Sequence, residues 1–335
     1  MFRKFFNISY VIFFLLFFLT HTVNAQFTGL DGVELTITPD NPGPEEQVVA
    51  TLNAYGVDIN TLELSWILNG ENVQSGKGLR IYSFKSGKLG SKNTLEVIGQ
   101  KNGQIFSKRI IFSPAKVDIL YEANSYTPPF YKGKPRLPFQ GSLKLVAIPN
   151  ILDASGKKVP DSKIIFKWKD GNQYLNNLSG YGKNNIAYKS DNDLPKTIEI
   201  TVEASYPDNG AFASKTVSIE PIESKVVFYE EDPEYGLLTN KALEGSFTFD
   251  KEEAVISAMP VFFGVNNKNL STLKYKWVLS DKSIENSDSA IILRNTSGKN
   301  GQANLSLQLS NDLDYFQSAN NSLKIIFIKL NTLSR

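Results

Sequence analysis

Three tryptophans stand 102 and 109 residues apart in a chain of 335 residues that contains no cysteine. Each lies late in a strand-like run: LELSWIL around Trp66, IIFKWK around Trp168 and LKYKWVL around Trp277. Self-similarity at such a period marks repeated domains of about 100 residues, not one large core. Other features keep the same order. VAIPN (with Ala147 and Pro149) precedes Trp168, SAMPV (with Ala258 and Pro260) precedes Trp277, and a plainer VVATL precedes Trp66. After each tryptophan the unit closes on a paired run, TLEVIGQKNGQIFSKRIIFSP, KTIEITVEASYPDNGAFASKTVSIEP and QANLSLQLSNDLDYFQSANNSLKIIF, each reading as a hairpin.

Short alternating or β-branched runs such as VELTIT, QVVATL and NLSLQLS, separated by Gly, Asn, Asp, Ser and Pro, place the chain in the all-β class. The expected division is a leader at 1–25, domains at 27–114, 115–222 and 223–328, and a short tail at 329–335. In each domain the large indole would fill the space between two facing sheets of an immunoglobulin-like sandwich. Trp66, Trp168 and Trp277 are therefore expected to be structural core.

The leader reads as a secretory signal peptide: basic Arg3 and Lys4, an uncharged apolar run from Ile8 to Leu19, and a small-residue cleavage site at Ala25. The run is shorter than the roughly 20 residues that cross a bilayer comfortably, and no later segment is apolar enough to span. The expected location is outside the cell or at its surface, or the periplasm where the envelope has two membranes. Loss of the leader removes Arg3, Lys4 and the single histidine, His21, leaving 34 basic and 34 acidic residues. A neutral chain without long one-sign runs gives no footing to nucleic acid. A chain without histidine or cysteine excludes Ser-His-Asp and Cys-His nucleophiles and zinc centres of the usual ligand type. Domains of this size can also bury enough apolar surface to dispense with disulfides.

At the tryptophan strands and their following turns, the chain resembles the PKD and Ig-like β-sandwich modules strung along bacterial surface and secreted proteins. The turns here are Trp66-Ile67-Leu68-Asn69-Gly70, Trp168-Lys169-Asp170-Gly171 and Trp277-Val278-Leu279-Ser280-Asp281. None carries the full Trp-Asp-Phe-Gly-Asp-Gly sequence of a PKD module, so the broader Ig-like description fits better. The three-unit layout is also similar to uncharacterised exported proteins of candidate-phylum bacteria. The resemblance implies a non-enzymatic structural, adhesive or protein-interaction role, with no cofactor and with a protein or cell-surface component as partner.

Ser-Gly-Lys recurs at Ser75, Ser86, Ser155 and Ser297, but neither phosphate-loop spacing nor a following helix accompanies it, and polar hairpin turns are the expectation. Glu230, Glu231 and Asp232, in a Tyr-Glu-Glu-Asp-Pro-Glu run read as a solvated boundary loop, are weak calcium ligands, as is the Asp191-Asn192-Asp193 loop. A carboxylate-dependent glycoside hydrolase would need two acids placed across a sugar, and no such pair stands out. The stretch YTPPFYKGKPRLP supplies the candidate binding surface: Tyr126, Phe130, Tyr131, Lys132, Lys134 and Arg136. With Tyr181, its aromatics are also the platform that a polysaccharide-binding alternative would use. Its Pro-x-Tyr core recurs at Pro233-Glu234-Tyr235, so that part is expected to be domain architecture, with the tyrosine ring buried.

Overall fold

A computed structural model describes residues 32–55, 58–101, 104–189, 196–265, 270–285, 288–296 and 298–328. The leader, the Asp191-Asn192-Asp193 loop, Ser297 and the tail lie outside these residues. The described chain is all-β, with three 3-10 turns, Ile59–Thr61, Asp161–Lys163 and Asn176–Leu178, as its helical elements. The described residues fall into two compact units: one holds those of 32–40, 47–85 and 93–111, and the other those of 41–46, 86–92 and 112–328.

The smaller unit is one sandwich. Val33–Thr38, Gln47–Ala54 and Ile81–Lys85 form an antiparallel sheet in that order. The second sheet is built on Glu63–Leu68, flanked by Glu71–Lys77 and Asn93–Lys101. Alternate residues point inward: Val48, Ala50 and Leu52 from one sheet meet Leu64, Trp66, Leu95 and Val97 from the other, all essentially free of solvent.

The larger unit holds two such sandwiches, each with its own buried cluster. In the second sandwich, Lys116–Asn124, Ser142–Asn150 and Asn185–Lys189 form one sheet. Ile165–Asp170, Ile198–Tyr206 and Ala211–Ile219 form the other. In the third, Lys225–Asp232, Glu253–Val261 and Ala290–Arg294 face Leu273–Leu279, Gly301–Asn311 and Ser318–Phe327. The arrangement is the same in all three: two long antiparallel strands that precede the tryptophan strand, with one that follows it, form one face, and the tryptophan strand with the closing hairpin forms the other. This is the immunoglobulin-like plan.

Each indole ties the two sheets together by more than its bulk. Trp66 Nε1 donates to Leu79 O at 2.7 Å, Trp168 Nε1 to Lys183 O at 2.8 Å and Trp277 Nε1 to Asp288 O at 3.0 Å. Each acceptor lies two residues before the last strand of the opposite sheet, Ile81–Lys85, Asn185–Lys189 or Ala290–Arg294. The bond satisfies a buried donor and joins the tryptophan strand to the opposite sheet. The turn after the first tryptophan strand puts Asn69 and Gly70 at φ 53° and 92°, the type I′ geometry that suits a two-residue hairpin. The third sandwich makes the corresponding turn with Ser280 and Asp281 at φ 45° and 67°, without glycine.

Several sequence expectations change. Glu230, Glu231 and Asp232 are in the strand Lys225–Asp232, not in a boundary loop. The strand persists because its partner Glu253–Val261 pairs through Glu231 and Val255. Ser75 sits within the strand Glu71–Lys77. Ser86 is buried, its Oγ donating to Gly43 O at 2.6 Å and accepting from Glu46 N at 2.9 Å. Neither serine is in a polar hairpin turn. Tyr235 is 80% exposed, because Asp232 Oδ1 accepts from the Glu234 and Tyr235 amides and turns the chain outward.

Candidate interaction surface in the larger unit

The segment after Lys116–Asn124 begins with a buried backbone exchange. Tyr126 N donates to Phe263 O at 2.7 Å, and Phe262 N donates to Tyr126 O at 2.8 Å. Pro128 and Pro129 have no amide hydrogen, so the pairing stops there and the chain turns, Tyr131 N bonding Pro128 O at 2.9 Å. Tyr126 is only 8% exposed and belongs to the buried cluster of the third sandwich. Phe130 sits edge-on to Tyr229 at 5.3 Å and Tyr131 edge-on to Phe262 at 5.4 Å. The three aromatics proposed as a binding platform are thus engaged in packing the second sandwich against the third. Sequence could not show this, since their partners lie 99 to 137 positions away.

Burial raises the phenol of Tyr126 above its ordinary range. Tyr275, packed against the same cluster, is pushed up to about 12, by burial first and by the neighbouring Tyr126 second. The unfolded phenol ionises near 10.0 while the folded one keeps its proton, so stability is intact below pH 10.0 and is lost as pH climbs toward 12. A displacement of this size corresponds to roughly 3 kcal/mol. Urea titrations between neutral pH and pH 12 should show this decline, and Tyr275→Phe should flatten it.

Lys132, Lys134 and Arg136 behave differently. All three are exposed, and among the described residues none is in an ion pair. The backbone beneath them is fixed, with Ser125 Oγ donating to Arg136 O at 2.7 Å and Ile222 N to Leu137 O at 2.8 Å.

The same packing brings in a loop that sequence reasoning missed, Asp312–Phe316, between the closing strands of the third sandwich. Gln317 beside it is fully buried. Its Nε2 donates to Phe139 O at 2.8 Å and Asp314 Oδ2 at 3.3 Å; its Oε1 accepts from Gly264 N at 2.6 Å and Asn311 Nδ2 at 3.0 Å. Every hydrogen-bonding position of that amide is used. Lys189 Nζ pairs with Asp314 Oδ1 at 2.6 Å, and Phe316 N donates to Gln140 Oε1 at 3.1 Å. On this scaffold Leu313 and Tyr315 stand 73% and 66% exposed, and the rings of Tyr315 and Phe316 are 4.3 Å apart. The available signal was DLDYFQ: a carboxylate-rich turn that spends large apolar residues where solvent would be expected.

The calcium candidates do not converge. Strand alternation sends Glu230 and Asp232 toward Lys251 Nζ, each at 3.7 Å, while Glu231 accepts from Ser257 Oγ at 2.6 Å. Asp232 is held below the usual carboxylate range by the Glu234 and Tyr235 amides, ahead of Lys251. Among the described residues no group of three or more acidic, histidine or cysteine side chains is arranged to hold a metal. Tyr181 is 65% exposed, on a two-residue strand at the edge of the second sandwich.

No protein-family model and no curated protein matches the chain. Solved structures similar to it include the three N-terminal domains of the bacteriophage RB49 highly immunogenic outer capsid protein (Hoc), at 11% identity, covering 90% of this chain and 99% of that one with a TM-score of 0.27. Others are the chicken CNTN1 FN1–FN3 domains, at 9% identity with 89% and 98% coverage and a TM-score of 0.22, and the N-terminal four Ig domains of Dscam1 isoform 8.4, at 11% identity with 90% and 73% coverage and a TM-score of 0.23. Likeness at this level carries no argument about function.

Proposed function

We propose that this chain is an exported, non-enzymatic protein-interaction protein that works outside the cell or at its surface. The observation that carries the reading is the loop Asp312–Phe316, pinned by the fully buried Gln317 while it presents Leu313 and Tyr315 to solvent. Large apolar side chains on a rigid support lose little freedom on binding, which is what an interaction hot spot requires. The exposed cations Lys132, Lys134 and Arg136 add a charged surface on a fixed backbone. Export rests on the leader ending at Ala25.

The test immobilises the mature full-length chain and captures partners from the surface and secreted fractions of the producing cell. Leu313→Ser/Tyr315→Ser should lower retention of a protein partner by more than about tenfold, with unchanged melting. Undiminished retention would overturn the assignment to this loop. Recovery of polysaccharide alone would replace the protein-interaction reading with the carbohydrate one.

A further inference from the structure

The outer edge of the tryptophan strand is covered differently in each sandwich. In the first it carries Glu71–Lys77 and in the third Lys282–Ser283, neither with an aromatic residue. In the second, two short strands share that edge, Gln173–Tyr174 at one end and Gly180–Tyr181 at the other. Tyr174 lies opposite Lys169, and Tyr181 opposite Ile165. Both partners alternate with the buried Phe166 and Trp168, so both tyrosines stand on the outer face of the sheet. Their partners are four residues apart on one strand, which sets the tyrosines about 13 Å apart along the edge. They are 44% and 65% exposed.

The segment between them is a rigid support. Leu175 N donates to Trp168 O at 2.8 Å, and Ser179 Oγ donates to Leu175 O at 2.8 Å while accepting from Trp168 N at 2.9 Å. Gly182 N donates to Ile164 O at 3.0 Å, and Lys183 O takes the Trp168 indole hydrogen. Leu175 and Leu178 pack against the core, whereas Asn172, Gln173, Asn176 and Asn177 are exposed. Lys169 Nζ lies 4.5 Å from the centre of the Tyr174 ring and is itself paired with Glu203, which fixes that ring's orientation. From Asn172 to Asn185 the chain reads NQYLNNLSGYGKNN, without a carboxylate. Tyrosine with asparagine, serine and glycine is the composition of recognition loops: stiff amphipathic rings with hydrogen-bonding groups between them.

We propose that this strip binds a polysaccharide chain. The apolar C–H face of a pyranose ring lies on a tyrosine ring, and its hydroxyls pair with primary amides, each of which offers two donors and an acceptor. Two tyrosines spaced along a straight edge, with amides between them, fit a linear chain of such units. A protein partner would call for apolar anchors clustered at a desolvated centre, and neither leucine of the strip is exposed. Of the aromatics that the sequence offered for sugar binding, Tyr181 alone belongs here. The site goes beyond the protein-interaction reading and shares no residue with the loop of Leu313 and Tyr315.

The probes are cellohexaose, laminarihexaose, chitohexaose and hexagalacturonic acid, each titrated into the mature full-length chain by isothermal titration calorimetry. Saturable binding of at least one is expected, with amide exchange slowed over 172–184. Tyr174→Ala/Tyr181→Ala should weaken it more than about tenfold at unchanged melting, whereas Tyr174→Phe/Tyr181→Phe, which keeps both rings, should stay within about threefold of the wild type. Leu313→Ser/Tyr315→Ser should bind the sugar as the wild type does. Binding of none of the four would overturn the proposal. So would an alanine variant that binds undiminished, or protection confined to another part of the chain. Failure here leaves protein capture through Leu313 and Tyr315 untouched, and loss of that capture leaves sugar binding at Tyr174 and Tyr181 standing.

Discussion

Replacing Trp168 with alanine is expected to cost the second sandwich about 3–5 kcal/mol, enough to unfold it at ordinary temperature. Trp168 is fully buried, and its backbone is tied in as well: its amide donates to Ser179 Oγ at 2.9 Å and its carbonyl accepts from Leu175 N at 2.8 Å. Truncation would leave a cavity bounded by both sheets and strip Lys183 O of its indole donor. Trp168→Phe separates the two effects. It keeps most of the volume and loses the hydrogen bond, so a smaller loss of about 1–2 kcal/mol is expected. Urea denaturation followed by far-ultraviolet circular dichroism checks both variants. An unchanged transition for the alanine variant would remove the core assignment.

Gln317→Leu is expected to be comparably damaging by a different route. The shape is nearly kept, but Phe139 O, Gly264 N and Asn311 Nδ2 would each lose a partner in a buried site. At about 1–3 kcal/mol per stranded group, the sum is roughly 3–6 kcal/mol. The loss should concentrate where the second and third sandwiches meet, so hydrogen exchange should quicken over 311–317 and 126–140 before it does in the sheets. If only global stability fell, with no local acceleration, Gln317 would be an ordinary core residue and not the pin of the loop.

The sheets were largely legible in the sequence because their determinants are local. Alternation in Ile198–Tyr206 places every second residue inside, and the closing hairpins pair across short turns. The surface between the second and third sandwiches was not, because each of its bonds joins residues far apart in sequence. Gln317 meets Phe139 across 178 positions, and Lys189 meets Asp314 across 125. Nothing around Tyr126 announces that its ring lies in the core of the next domain. A proline- and aromatic-rich stretch reads the same whether its rings meet a ligand or a neighbouring sheet. The acidic run at Glu230–Asp232 misled for a related reason. Charged residues signal solvent, but a strand with one open face carries them without breaking its ladder.

The enclosed indoles have an experimental consequence. The chain has three tryptophans, one in each sandwich and each at 0% exposure, so indole fluorescence comes only from the interiors. Its emission should be blue-shifted in the native state and move to the red as a given interior admits water. Substituting any two of them with phenylalanine leaves a single emitter. Three such proteins would report the opening of each sandwich separately in one denaturation experiment, with no label attached.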